Sequence, residues 1–127
     1  MKSIDDDGLV QALARFSQLA MFEDYKLVSP ESPGMDGDTP LHVAAFDGDI
    51  GALESLLPYV SNIDVRGDIG NTALHSAVAF KRTEMAELLI RYGADVMALN
   101  DYDDSPLDMM MRSPEFDSLL RAHGWLS

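Results

Sequence analysis

The chain has 127 residues, of which 46% are hydrophobic, and its 22 acidic residues against 9 Lys and Arg give a formal net charge of −13. This length predicts one domain, and the apolar content argues against disorder. The charge disfavours nucleic acid and anionic membrane as partners, because both would be repelled. It favours a basic protein, although the acids are equally explained by solubility alone.

Other compositional features narrow the class of protein further. The absence of cysteine excludes a disulfide framework and a thiol nucleophile. No apolar run approaches the ~18 residues that a transmembrane helix needs. Acidic residues follow the first methionine, where a signal peptide would need an apolar core. We therefore expect a cytoplasmic protein.

The first segment predicts one amphipathic helix, from Leu9 to about Phe22. Residues 5–8, Asp-Asp-Asp-Gly, suit a helix start, because acids complement the helix dipole there. They lack the spaced ligands and terminal Glu of a calcium loop. The apolar positions recur at helical spacing: Leu9, Ala12, Leu13, Phe16, Leu19 and Ala20. A connector rich in Pro and Gly follows at residues 29–37.

The rest of the chain repeats one pattern. The segment Thr39-Pro-Leu-His-Val-Ala-Ala-Phe-Asp-Gly48 returns as Thr72-Ala-Leu-His-Ser-Ala-Val-Ala-Phe80, and in weaker form from Ser105 as Ser-Pro-Leu-Asp. The three starting residues are 33 positions apart each time. A period of about 33 with a T-P-L-H start is the signature of ankyrin repeats. Residues 37–124 therefore resemble the ankyrin-repeat family.

This resemblance implies an all-α ankyrin-repeat solenoid of about three repeats, the last one truncated, with an N-terminal capping helix. The predicted boundaries are 1–36 for the cap and connector, and 37–69, 70–102 and 103–127 for the repeats. Each repeat would form two helices and a hairpin-like loop. Its predicted core consists of Leu41, Ala44, Ala45, Leu53, Leu56 and Leu57, with Leu74, Ala77, Val78, Ala86, Leu89 and Ile90 as their counterparts. Gly48 suits the turn between helices, whereas Lys81 and Arg82 at the second such turn leave its left-handed conformation open.

The resemblance also implies structural roles for Thr39, Thr72, His42 and His75. The threonines would cap helices, and each imidazole would bridge its own Thr to neighbouring backbone. Two histidines one repeat apart are expected ~10 Å from each other, the spacing of stacked layers, which is too far to share a metal ion. We predict no metal, no cofactor and no catalytic residue, since the chain contains no phosphate-binding loop, zinc-protease motif or nucleophile elbow.

In the family, partners bind the concave surface, which the hairpin tips and first helices form. Carried over position by position, the contact residues are Met35, Asp36, Asp38, Phe46 and Asp47; Arg66, Asp68, Ile69, Asn71, Ala79 and Phe80; and Leu99, Asp101, Tyr102, Asp104, Arg112 and Ser113. Aromatic groups ringed by polar ones are typical of interface hot spots. The alternative is that Phe46 and Phe80 belong to the core.

Together these features predict a non-catalytic binding module that holds a basic protein on its concave face, without a small-molecule substrate. Small acidic ankyrin-repeat chains are similar to immunity proteins that neutralise bacterial toxins, which is one role that the charge suits. An accessory or chaperone-like adaptor for an enzyme, and a self-associating scaffold that pairs through the Trp125 end, are the alternatives.

Overall fold

The computed structural model describes residues 3–17, 19, 22, 29–34 and 36–126. The predictions for Ala20 and Met35 fall outside these residues. Within them the chain forms α-helices, short 3-10 turns and no strand. The α-helices are α1 (Ser3–Ser17), α2 (Pro40–Asp47), α3 (Ile50–Leu56), α4 (Ala73–Ala79), α5 (Thr83–Arg91), α6 (Pro106–Met111) and α7 (Asp117–Ala122).

Helix α1 buries Ala12, Leu13 and Phe16, and it packs against α3. It ends at Ser17, earlier than the predicted Phe22. Beyond it, Leu19 donates its N–H to Phe16 and Phe22 donates to Leu19, so the hydrogen bonds span three residues instead of four. Bonds over three residues are typical of 3-10 turns. The Phe22 side chain is fully buried in the core.

The remaining helices form three antiparallel pairs, α2 with α3, α4 with α5 and α6 with α7. The first helices α2, α4 and α6 lie side by side in an inner layer, and the second helices α3 and α5 lie behind them. The predicted core lies between the two layers, and every predicted core residue is buried except Ile90, which is half-buried. The all-α repeat fold is therefore confirmed.

In the first two repeats, the turn between the two helices contains one residue in the left-handed conformation. Gly48 supplies it in the first repeat with φ 74°, and Lys81 supplies it in the second with φ 60°. The second turn thus keeps its shape without glycine, although the left-handed conformation is unfavourable for a residue with a side chain. Lys81 Nζ donates to Ser113 Oγ at 3.0 Å, which fixes the lysine against the following repeat.

The third pair has shorter helices, of six residues each. A 3-10 turn, Pro114–Phe116, joins α6 to α7, and it places Phe116 fully inside the core. The three consecutive methionines of α6 point in different directions: Met110 is fully buried, Met109 is half-buried and Met111 is exposed. They fill the core and cover surface. None of the helices among the described residues is both long and apolar enough to span a membrane.

Candidate partner-binding surface

Each T-P-L-H segment builds a hydrogen-bonded bridge to the next repeat. His42 Nδ1 accepts the backbone N–H of Thr39 at 3.1 Å, so this nitrogen carries no proton and Nε2 carries it. Nε2 then donates to the carbonyl oxygen of Asn71 in the following hairpin turn, at 2.9 Å. His75 repeats the arrangement with the N–H of Thr72 at 3.0 Å and the carbonyl of Asp104 at 2.9 Å.

Burial lowers the pKa of both His42 and His75 below its usual value. The neutral form is also required by geometry, because a proton on Nδ1 would face the N–H of the threonine. Both imidazoles are fully buried. They therefore hold successive repeats in register and are inaccessible to a partner.

The hairpin turns share the same internal hydrogen bond, and a further bond joins two of them. In each turn one backbone N–H donates to the carbonyl oxygen four residues later in the chain. The pairs are Gly34 with Asp38, Gly67 with Asn71, and Asn100 with Asp104. Adjacent turns are joined where Asp101 N–H donates to the carbonyl of Ile69 at 2.9 Å. This bond sets the exposed Ile69 next to the turn that carries Tyr102.

Some predicted contact residues have bonding partners within the chain, and three of them, Asp38, Asn71 and Asp104, are only half-exposed. Asp38 Oδ1 accepts the N–H of Asp68 at 2.9 Å, and Asn71 Oδ1 accepts the side-chain amide of Asn100 at 2.9 Å. Asp104 and Arg112 form an ion pair with each other at 3.3 Å. The structure thus gives these side chains partners within the chain, in addition to any contact with another protein.

The two phenylalanines lie together on the inner layer. Their ring centroids are 5.3 Å apart with an angle of 29° between the planes. Phe46 is half-buried against the core, whereas Phe80 is 55% exposed. The Phe46 ring therefore packs against the exposed Phe80 ring. Phe80 lies at the surface, as expected of a contact residue, whereas Phe46 lies partly in the core.

The other predicted contacts divide between apolar and charged groups at the surface. Tyr102 is 71% exposed and Ile69 is 39% exposed. The exposed charged residues are Asp36, Asp47, Arg66, Asp68, Asp101 and Arg112. Apolar side chains flanked by carboxylates are thus brought together on the hairpin turns.

A family model for three copies of the ankyrin repeat matches residues 5–100. The chain belongs to the ankyrin-repeat family. The match begins inside α1 and ends before α6. The last helix pair keeps the repeat geometry nevertheless, because Ser105 caps α6 by accepting the N–H of Asp108 at 3.0 Å, as Thr39 and Thr72 cap α2 and α4.

Curated ankyrin-repeat relatives come from several animals. Protein phosphatase 1 regulatory subunit 27 of Mus musculus is 32% identical over 103 residues, which cover 81% of this chain and 66% of the relative. Ankyrin repeat domain-containing protein 13C of Danio rerio is 41% identical over 80 residues, or 62% of this chain and 16% of the relative. A transient receptor potential cation channel subfamily A member 1 homolog of Caenorhabditis elegans is 32% identical over 87 residues, 68% of this chain and 7% of the relative. The chain therefore spans less than two thirds of each of these relatives.

Ankyrin repeats mediate protein–protein interaction, and the surface described above can supply such contacts without any chemical step. No three His, Asp or Glu side chains in the described part of the chain come close enough to hold a metal ion. Two further apolar residues, Met97 and Met111, are exposed, at 60% and 46%. Neither was among the predicted contact residues. Met97 could have been found from its place in the turn two residues before the predicted contact Leu99.

Proposed function

We propose that this ankyrin-repeat chain is a non-catalytic binding module that holds a basic partner protein on the surface of its hairpin turns and first helices. The observation that carries the proposal is the exposure of Tyr102 and Phe80, at 71% and 55%, beside acidic hairpin turns. A soluble protein gains little from exposing two aromatic rings on one surface. Bound aromatic side chains, by contrast, contribute much of the energy of protein interfaces.

The acidic turns support a basic partner. Asp36, Asp68 and Asp101 are exposed on consecutive hairpins. None of these three carboxylates has an ion-pair partner among the described residues. Lys or Arg of a partner could therefore pair with them without first breaking an internal ion pair. Such charges would mainly accelerate association and select the partner, and the aromatic side chains would supply most of the affinity.

The role that suits an acidic binding module is inhibition of a basic protein. An immunity protein that neutralises a basic toxin domain in the cytoplasm is the specific form that we propose. The net charge of −13 supports this role, because toxins that act on nucleic acid need a basic surface, which an acidic inhibitor would cover.

Affinity capture from the native host at low and at high salt tests the proposal. The bait carries Tyr102→Ala or, as the matched control, Tyr92→Ala. Tyr92 is also a tyrosine and is 54% exposed, but it lies at the C-terminal end of the second helix α5. We expect the bait to capture one basic protein in stoichiometric amount, and high salt to weaken this binding. The Tyr92→Ala bait should retain the protein, and the Tyr102→Ala bait should lose it.

The inhibitory role is tested on the captured protein itself. Its enzymatic or toxic activity should fall when the purified chain is added in equal amount, and it should recover with the Tyr102→Ala variant. Capture of only acidic proteins or nucleic acid would refute the basic partner. Equal capture by the two tyrosine variants would refute the assigned surface.

A further inference from the structure

A groove of about 420 Å³ lies on the outer layer, away from the hairpin turns. It is lined by residues of α3 and α5, and by residues at the start of α7 and in the turn before it. The groove is open to solvent and lies across the second helices of all three repeats. It is therefore a separate surface from the one proposed above.

The floor of the groove is apolar. Ile50 at the start of α3 is 37% exposed, Leu88 of α5 is half-buried and Leu119 of α7 is 9% exposed. These side chains belong to three successive helix pairs, so their apolar surface follows the groove from one repeat to the next. Packing of helices leaves such grooves between adjacent ridges of side chains, and a further helix can enter them.

The rim of the groove is strongly acidic. Its lining includes Glu54, Glu84, Glu87 and Glu115 against one cation, Arg91. Arg91 is already paired with Glu87 at 3.5 Å, and Glu115 accepts a hydrogen bond from Ser113 Oγ at 2.7 Å.

The two remaining carboxylates are free to bind an external cation. Glu54 and Glu84 are exposed, and neither has an ion-pair or hydrogen-bond partner for its carboxylate among the described residues. They lie on α3 and α5, the two helices that line the apolar floor beside Ile50 and Leu88. An apolar floor between unpaired carboxylates is complementary to a helix with an aliphatic stripe flanked by Lys or Arg.

We propose that this groove is a second docking surface, and that its occupant is a basic amphipathic helix of a partner protein. The aliphatic stripe of that helix lies on Ile50, Leu88 and Leu119, and its cations pair with Glu54 and Glu84. The surface does not depend on the hairpin turns. It would allow the chain to hold two basic segments at once, one on each layer.

The probe is a synthetic amphipathic helix in which leucine recurs at helical spacing and lysine occupies the flanking positions. A control peptide keeps the leucines and replaces lysine by glutamate. The peptides are titrated into the full chain, labelled with ¹⁵N, and the amide resonances of Leu88 and Leu119 are followed. Dissociation constants come from the shift of these two resonances, so they report on the groove alone.

The double variant Glu54→Gln with Glu84→Gln removes two charges from the groove and keeps the shape of both side chains. The matched control, Asp68→Asn with Asp101→Asn, removes the same charge from the hairpin turns. We expect the groove variant to raise the dissociation constant at Leu88 and Leu119 about fivefold to tenfold, the effect of losing two exposed ion pairs. The hairpin variant should change it by less than about twofold, through the screened long-range field alone.

Three results would overturn the inference: no movement of the Leu88 and Leu119 resonances with the lysine peptide, equal binding of the glutamate peptide, or equal weakening by the two double variants. The last result would mean that net charge alone attracts the peptide. None of these outcomes would refute the proposed binding surface on the hairpin turns, since that proposal is tested separately with the Tyr102 and Tyr92 variants.

Discussion

Replacing His42 by Ala removes the side chain that joins the first repeat to the hairpin turn of the second. The imidazole is fully buried and satisfies the N–H of Thr39 and the carbonyl of Asn71, at 3.1 and 2.9 Å. Among the described residues the Thr39 N–H has no other acceptor, whereas the Asn71 carbonyl still accepts the N–H of Gly67 at 2.8 Å. The substitution therefore removes the acceptor of the buried Thr39 N–H and hydroxyl, weakens the hydrogen bonding of one carbonyl and leaves a void where the ring was.

The cost follows from these three effects. A buried donor left without a partner costs ~1–3 kcal/mol, and the void and the weakened acceptor add to it. We expect the free energy of unfolding to fall by ~2–4 kcal/mol, which lowers the melting temperature by ~10 °C for a chain of this size. Urea unfolding followed by the helical circular dichroism signal measures the free energy directly.

Asp108→Ala is the matched control. Asp108 occupies the position of His42 in the third repeat, but its side chain is exposed. We expect this substitution to cost less than ~1 kcal/mol, the contribution of one acid near a helix N-terminus. If His42→Ala costs no more than Asp108→Ala, the bridge between repeats does not stabilise the fold.

The pH dependence gives an independent test of the same bridge. Burial lowers the pKa of His42, so the unfolded chain binds a proton more readily than the folded one. The stability that His42 contributes is fully present above the unfolded pKa of about 6.5, and it is lost as pH falls from there towards the lowered folded pKa. Between about pH 8 and pH 5.5, wild type should therefore lose more stability than His42→Ala. An equal loss in the two proteins would contradict the assigned protonation state.

Two further comparisons test the surface and the turns. Phe80→Ala should lower the free energy of unfolding by only ~0.5–1.5 kcal/mol, the value of an aromatic pair, because the ring is 55% exposed; Phe116→Ala, which truncates a fully buried ring, should cost ~3–5 kcal/mol. Similar melting temperatures for the two variants would show that Phe80 belongs to the core. Gly70→Ala should destabilise the chain by ~1–3 kcal/mol, since Gly70 has φ 72° and an added Cβ would approach the carboxylate of Asp101. Gly51→Ala, inside α3 where a Cβ meets only ordinary contacts, should instead stabilise it by ~0.5–1 kcal/mol, and the opposite order of these two would refute the backbone assignment.

The sequence alone determined the features that depend on local backbone chemistry. The Thr39 and Thr72 caps recur 33 residues apart, as do Leu41 and Leu74 and also Leu56 and Leu89, and Gly48 supplies a left-handed turn. Each of these features acts within one helix or turn. Local signals of this kind are readable because they need only the neighbouring residues. Their repetition then indicates how successive units stack, and the family match agrees with that prediction.

The tertiary structure decided everything that depends on two repeats at once. Phe46 and Phe80 look alike in the sequence, yet only Phe80 is exposed, because the stacking of α4 on α2 lays one ring against the other. Asp104 looked free to meet a partner, but Arg112 reaches it at 3.3 Å.

The backbone conformation of Lys81 likewise depends on tertiary packing. Its residue type disfavours a positive φ, but the packing of α5 against α4 requires one at this turn. The acidic groove depends on side chains from three helix pairs, from Ile50 to Leu119 in the chain. Such outcomes escape sequence reasoning, since residues about thirty or more positions apart become neighbours only when the repeats are stacked.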